Sequence, residues 1–119
     1  MVKKKILIII QARIGSLRLP GKVLKKILGK PILWHIINRL KSINNKKIVV
    51  ATSGSQKDKK IINFCKKNKV NYFAGSERNV LDRFYRAAKK FNGLNIIRIT
   101  GDCPLIDSKI IKKLINLYF

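Results

Sequence analysis

Five consecutive aliphatic residues, Ile6 to Ile10, stop at the polar residue Gln11 and give way to the loop Gln11-Ala-Arg-Ile-Gly-Ser-Leu-Arg-Leu-Pro-Gly-Lys22. A run that short, bounded by polar residues, suits a strand buried on both faces and is far too short to cross a membrane. The chain then repeats the arrangement, with short aliphatic runs ending in small polar residues and alternating with stretches of helical periodicity.

After the first loop, Pro31 suits the first turn of a helix whose apolar positions Ile32, Leu33, Ile36, Ile37 and Leu40 recur at helical spacing, ending near Lys41. Lys47 to Thr52 reads as a second strand, ending in Thr52-Ser53-Gly54. A helix over about Lys57 to Asn68 buries Ile61, Ile62 and Cys65 or Phe64 and turns its lysines outward. Val70 to Ala74 forms a third strand, closed by Gly75-Ser76. The next helix, about Arg78 to Phe91, sets Val80, Leu81, Phe84, Ala87, Ala88 and Phe91 on one side and stops at Asn92-Gly93. Asn95 to Thr100 is the fourth strand, leading into Gly101-Asp102-Cys103-Pro104-Leu105; Asp107 or Ser108 caps a last helix.

Four strands alternating with four helices predict one α/β domain over residues 1–119: a Rossmann-like, open, mostly parallel sheet with helices on both faces. In such sheets ligands bind outside the carboxyl ends of the strands. Residues 13–22, Thr52-Ser53, Gly75-Ser76 and Gly101-Asp102 all fall at such ends, so they are expected to share one rim.

The first loop suits a polyphosphate. Arg13, Arg18 and Lys22 supply positive charge, and Gly15 and Gly21 let backbone N–H groups approach the same oxygens. It is not a Walker loop, because five residues separate Gly15 from Gly21-Lys22 and Val23 stands where a hydroxyl is required. No G-x-G-x-x-G dinucleotide fingerprint occurs. Asp102, one of only 5 acids, ends the isoleucine-rich fourth strand. Its carboxylate suits either magnesium, which is held by one or two carboxylates together with substrate phosphates, or a local pair with Arg98 or a lysine.

Composition limits the alternatives. The net charge of +23 arises from 28 basic and 5 acidic residues. Such a balance suits a nucleic-acid partner, but the lysines are scattered over every helix with no recognised binding motif, so specific nucleic-acid binding is not expected. Cys65 and Cys103 with one His cannot form a standard zinc site and read as reduced thiols. Lys3 to Lys5 precede an apolar run that Gln11 and Arg13 end too early for a signal peptide, so a cytoplasmic, non-membrane protein is expected. His35, between Trp34 and Ile36, reads as structural.

The residue order Gln11-Ala-Arg-x-Gly-Ser-x-Arg-Leu-Pro-Gly-Lys-x-Leu24 resembles the nucleotide-binding loop of the sugar cytidylyltransferases, especially the spore coat polysaccharide (SpsF-type) branch. Val50-Ala-Thr-Ser53, Gly75-Ser-Glu-x-Asn-Val-Leu-Asp-Arg-Phe-Tyr-x-Ala-Ala88 and Arg98-Ile-Thr-Gly-Asp-Cys-Pro-Leu-Ile-Asp107 extend the resemblance over essentially the whole chain. It implies a nucleotide-diphospho-sugar transferase type of fold and transfer of a cytidylyl group from CTP to an acidic sugar, with release of pyrophosphate, for cell-surface polysaccharide. It implies that Arg13, Ser16, Arg18 and Lys22 contact the triphosphate, that Asp102 holds Mg2+, and that Arg13, Lys22 and Asp102 carry the chemistry. Ala12, Thr52, Ser53, Arg78 and Thr100 are weaker candidates for base and ribose contacts. The family's domain is longer. Its further half supplies a sugar pocket, a homodimer contact and a second metal-binding acid, none of which is found in this chain. The expected alternatives are therefore a fragment of a larger enzyme and a module that binds nucleotide without turnover.

Overall fold

In a computed structural model the chain is described over residues 5–15, 21–101 and 106–119. The elements in order are β1 (Ile6–Gln11), a 3-10 turn (Lys22–Leu24), the two-residue strands β2 (Lys26–Ile27) and β3 (Lys30–Pro31), α1 (Ile32–Leu40), β4 (Lys46–Ser53), α2 (Lys59–Lys67), β5 (Asn71–Gly75), α3 (Val80–Lys90), β6 (Ile96–Thr100) and α4 (Ser108–Tyr118). The main sheet runs β5-β4-β1-β6 with every neighbouring pair parallel. The expected Rossmann-like α/β architecture is present.

β1 is central and carries the core. Ile6, Ile8 and Ile10 point to one face, where they meet α1, α2 and α4 through residues such as Leu33, Ile36, Ile61 and Ile111. Leu7 and Ile9 point to the other, where Ala87 and Ala88 of α3 sit over them. Each isoleucine side chain removed from water contributes roughly 2–3 kcal/mol.

Helices lie over both faces, as expected, but cover them unequally. Among the described residues α3 alone covers the second face. Ile96 and Thr100, which pair with Leu7 and Gln11 on that face, are exposed, as is Arg98 between them. α3 differs from its expected pattern in the same way. Leu81, placed on its apolar side by periodicity, is 78% exposed, and Arg83 takes a buried position at 2%. Arg83 donates to Gln11 Oε1 and Ser76 O, and α3 meets the strands through Phe84, Ala87 and Ala88.

The helix ends have local causes. Asn79 accepts a hydrogen bond from the Asp82 N–H, starting α3 two residues later than expected, and Asp107 accepts from Lys109 N–H to start α4. A hairpin that hydrophobic periodicity does not predict joins β2 and β3 through Leu28 (φ 52°) and Gly29 (φ 79°), a two-residue turn with both residues left-handed. His35 Nε2 donates to Ile27 O at 2.6 Å, fastening that hairpin to α1.

Because Ala87 is fully buried between helix and sheet, Ala87→Leu is expected to force α3 outward and cost about 1–3 kcal/mol in urea unfolding. A leucine tolerated there without loss of stability would mean that α3 is not seated on β1 and β4.

Candidate nucleotide-binding rim

The strand register brings the carboxyl ends together. Gln11 is beside Ala51 and Thr100, and Ser53 is beside Gly75, so the loops after β1, β4, β5 and β6 leave from one edge of the sheet. Gly101 N–H donates to Gln11 O at 2.7 Å. A Cβ at residue 101 would lie 2.8 Å from that same backbone oxygen, so the approach of the β6 loop to β1 requires glycine.

The loop after β1 is tied down by an acid that sequence reasoning did not select. Asp58, immediately before α2, is fully buried. One carboxylate oxygen accepts from Arg13 Nε at 2.6 Å and from Ser53 Oγ; the other accepts from Ile14 N–H at 2.8 Å. Arg13 also donates through Nη1 to Glu77 O at 2.7 Å and through Nη2 to Glu77 Oε1 at 3.4 Å. One guanidinium thus connects the loops that follow β1, β4 and β5. Asp58 gave little signal in the sequence, since an acid before a helix reads as a cap; its reach of forty-odd residues back to Arg13 depends on the sheet order.

A second arginine makes a parallel connection. Arg83 of α3 donates from Nε and Nη2 to Gln11 Oε1, at 3.2 and 2.9 Å, and from Nη1 to Ser76 O at 2.9 Å. It too escaped the sequence reading, which relied on periodicity.

The electrostatics follow from these contacts. Burial by itself would raise the Asp58 pKa, but the hydrogen bonds from Ser53, Ile14 N–H and Arg13, with the charge of Arg13, outweigh it and hold the carboxyl below its usual value of 3.8. Burial lowers the Arg83 pKa, and repulsion from Arg13 and Arg98 adds to that against attraction by Asp58. Cationic groups therefore crowd this rim and one buried carboxylate offsets them. Burial also pushes the Cys65 thiol to about 12, an inert group.

Of the residues expected at the site, Ser16, Arg18 and Asp102 lie outside the described residues. Ala12 is buried at the end of β1, and its N–H donates to Ala51 O. Arg13 is at the rim, engaged with Asp58 and Glu77. Lys22 begins the 3-10 turn, on the α1 side, where Val23 enters the core. Ser53 Oγ is taken up by Asp58 and Ser55, while Thr52 Oγ1 is buried without a partner among the described residues. Arg78 and Thr100 are exposed, in the loop before α3 and at the end of β6. Among the described residues no three His, Cys, Asp or Glu side chains gather as a metal site, and Asp58 is already saturated.

Residues 7–119 match the sequence profile of the cytidylyltransferases. The chain belongs to the cytidylyltransferase family. It is 37% identical over 119 residues to the spore coat polysaccharide biosynthesis protein SpsF of Bacillus subtilis, an alignment covering 96% of the chain and 50% of SpsF. A solved cytidylyltransferase from Leptospira borgpetersenii superimposes with a TM-score of 0.85 at 40% identity, covering 95% of this chain and 48% of that one. A CMP-2-keto-3-deoxy-manno-octonic acid synthetase solved with CTP gives 0.77 at 28% identity, covering 94% and 46%. The chain spans about half the length of these relatives. No helix among the described residues of this cytidylyltransferase chain is long and apolar enough to cross a membrane.

The Asp58 clamp predicts a pH dependence. A carboxyl whose folded pKa is depressed stabilises fully above its unfolded value, and that stability is lost as pH falls through the folded value, so the window lies below about pH 4. Asp58→Asn is expected to lose about 2 kcal/mol at pH 7, discounted because Arg13 is partly exposed. Urea unfolding at pH 7 and pH 3 should show the gap to wild type shrinking in acid; a gap constant with pH would mean that Asp58 carries no such charge interaction.

Proposed function

We propose that this chain binds CTP along the carboxyl rim and forms the nucleotide half of an enzyme that transfers a cytidylyl group to an acidic sugar. The observation that supports it best is the loop after β1, in which Arg13 is fixed by Asp58 and Glu77 in a segment matching the family over nearly its whole length. Holding Arg13 and Ile14 in place lowers the ordering cost at that end of the loop when a polyanion arrives.

In the reaction, a sugar hydroxyl oxygen forms a bond to the α-phosphorus of CTP, the bond from that phosphorus to the bridging oxygen breaks, and pyrophosphate leaves. The hydroxyl proton passes to solvent or to the departing oxygens. Positioning and charge neutralisation carry such a transfer. Arg18 and Lys22 would neutralise phosphate oxygens, and Arg13 would hold the loop's backbone N–H groups toward them. A magnesium ion bound by Asp102 and the triphosphate would supply Lewis acidity. Ala12, Arg78, Thr100 and the backbone at Thr52-Ser53 and Ser16 would border the nucleoside. Cell-surface polysaccharide synthesis in the cytoplasm and a homodimer of the longer domain belong to the same reading.

The half-length coverage of relatives favours a second reading, in which this chain alone binds CTP and does not turn it over. The two separate in one experiment. With CTP, magnesium and a panel of 3-deoxy acidic sugars, pyrophosphate release is expected from the first and CTP binding without pyrophosphate from the second. In both, Lys22→Ala is expected to weaken CTP binding about tenfold. Absence of any CTP binding by wild-type protein would remove both.

A further inference from the structure

The main sheet has two edges, β5 and β6, and they are unlike. Leu7 N–H donates to Asn95 O and Gly101 N–H to Gln11 O, so in the parallel ladder Asn95, Ile97, Ile99 and Gly101 address β1. The N–H and C=O groups of Ile96, Arg98 and Thr100 consequently point away from β1 along the edge. No described residue bonds to them.

Beside that edge lies a largely apolar groove of about 320 Å3, whose walls include Ile6, Ile96, Ile97, Leu114, Ile115 and Tyr118. Neighbouring strand residues point to opposite faces, so a groove that takes in both Ile96 and Ile97 reaches the edge itself. α4 extends the apolar surface. Ile110, Leu114 and Leu117 recur at i, i+4 and i+7, the spacing of a helix face that packs on something, yet all three are exposed, Leu117 to 84%. The β5 edge differs. Its Tyr72 and Phe73 are half-buried, Lys90 Nζ lies 5.8 Å from the centre of the Phe73 ring, and no large apolar residue of β5 is exposed. An open edge with an apolar flank suits the addition of a further strand, in which main-chain bonds give affinity and the side-chain groove gives specificity.

Charge separates the occupants. Arg98 stands midway along the edge beside Ile9, on the α3 side. The four acids among the described residues are engaged elsewhere: Asp58 and Glu77 with Arg13, Asp82 with Arg86, and Asp107 with Lys109 N–H. A second copy added antiparallel about the middle of this edge would set Arg98 opposite Arg98, and like charges directly opposite destabilise a sheet. A strand with a carboxylate at that position is favoured instead. The relatives indicate its source. Alignment takes up 96% of this chain but 50% of SpsF, and 95% against 48% of the Leptospira structure, so the family's domain contains about as much polypeptide again outside the matched part.

We propose that the β6 edge and the Ile110–Leu114–Leu117 stripe form the surface on which the remaining part of the longer enzyme docks. It adds a strand whose apolar side chains enter the groove on the α4 side and whose carboxylate, on the alternate face, meets Arg98. This rests on the reading of the chain as the nucleotide half of that enzyme.

The test presents the full chain with two synthetic peptides of about ten residues, one alternating valine with glutamate and one alternating valine with lysine, and follows amide hydrogen exchange by NMR. The glutamate peptide is expected to slow exchange at Ile96, Arg98 and Thr100 about tenfold, and the lysine peptide to leave it within about twofold. Arg98→Glu, at an exposed position, is expected to reverse that preference. Leu114→Lys is expected to remove the effect of both peptides. No protection by either peptide, equal protection by both, or protection of the same amides by self-association at rising protein concentration overturns the inference. CTP titration of the same protein separates the two readings. Those outcomes with CTP binding intact leave the proposed function standing, whereas a chain that binds no CTP overturns that function and with it the named source of the strand.

Discussion

The buried carboxylate of Asp58 holds the rim together. It sits where β4 hands over to α2, and through Arg13 and Ile14 N–H it fixes the start of the loop after β1. Removing charges from water is expensive, and this pair is stable because every oxygen of the acid has donors around it. The start of the loop after β1 thus has its conformation determined by a neighbouring strand and helix. In a chain of 28 basic and 5 acidic residues, committing Asp58 and Glu77 to the same arginine is a large share of the available negative charge.

The other two acids among the described residues have local tasks that match their positions. Asp82 pairs with Arg86 one turn along α3, and Asp107 starts α4. Most lysines among the described residues are exposed, and the positive field there is offset at few points. That field favours the approach of a polyanion to whichever opening the strand ends provide.

Much of the fold was legible. Ile6 to Ile10 announced a doubly buried strand because no other short element places five aliphatics in succession, and the glycine and hydroxyl residues after β4, β5 and β6 marked the strand ends. The rim was legible for the same reason, since a parallel sheet puts all those ends on one side. What escaped was whatever depends on strand order. Nothing near Asp58 in sequence names Arg13 as its partner, and nothing near Arg83 names Gln11; both contacts exist because β4 lies beside β1 and α3 crosses above them. Helical periodicity also misplaced Leu81, because it assumes an apolar floor, whereas the inward positions of α3 are Phe84, Ala87, Ala88 and the polar contact of Arg83 with Gln11. The β2–β3 hairpin escaped because Leu28 adopts a left-handed conformation that leucine rarely visits.

Cys65 lies in α2, whose preceding residue is Asp58, and its thiol is sealed under that helix with a pKa raised to about 12. Alkylating reagents consume thiolate, so modification at this sulfur must wait for α2 to lift from the sheet. The rate at which Cys65 becomes labelled is therefore a clock for the opening of α2, the helix whose docking keeps the Asp58 carboxylate in its place.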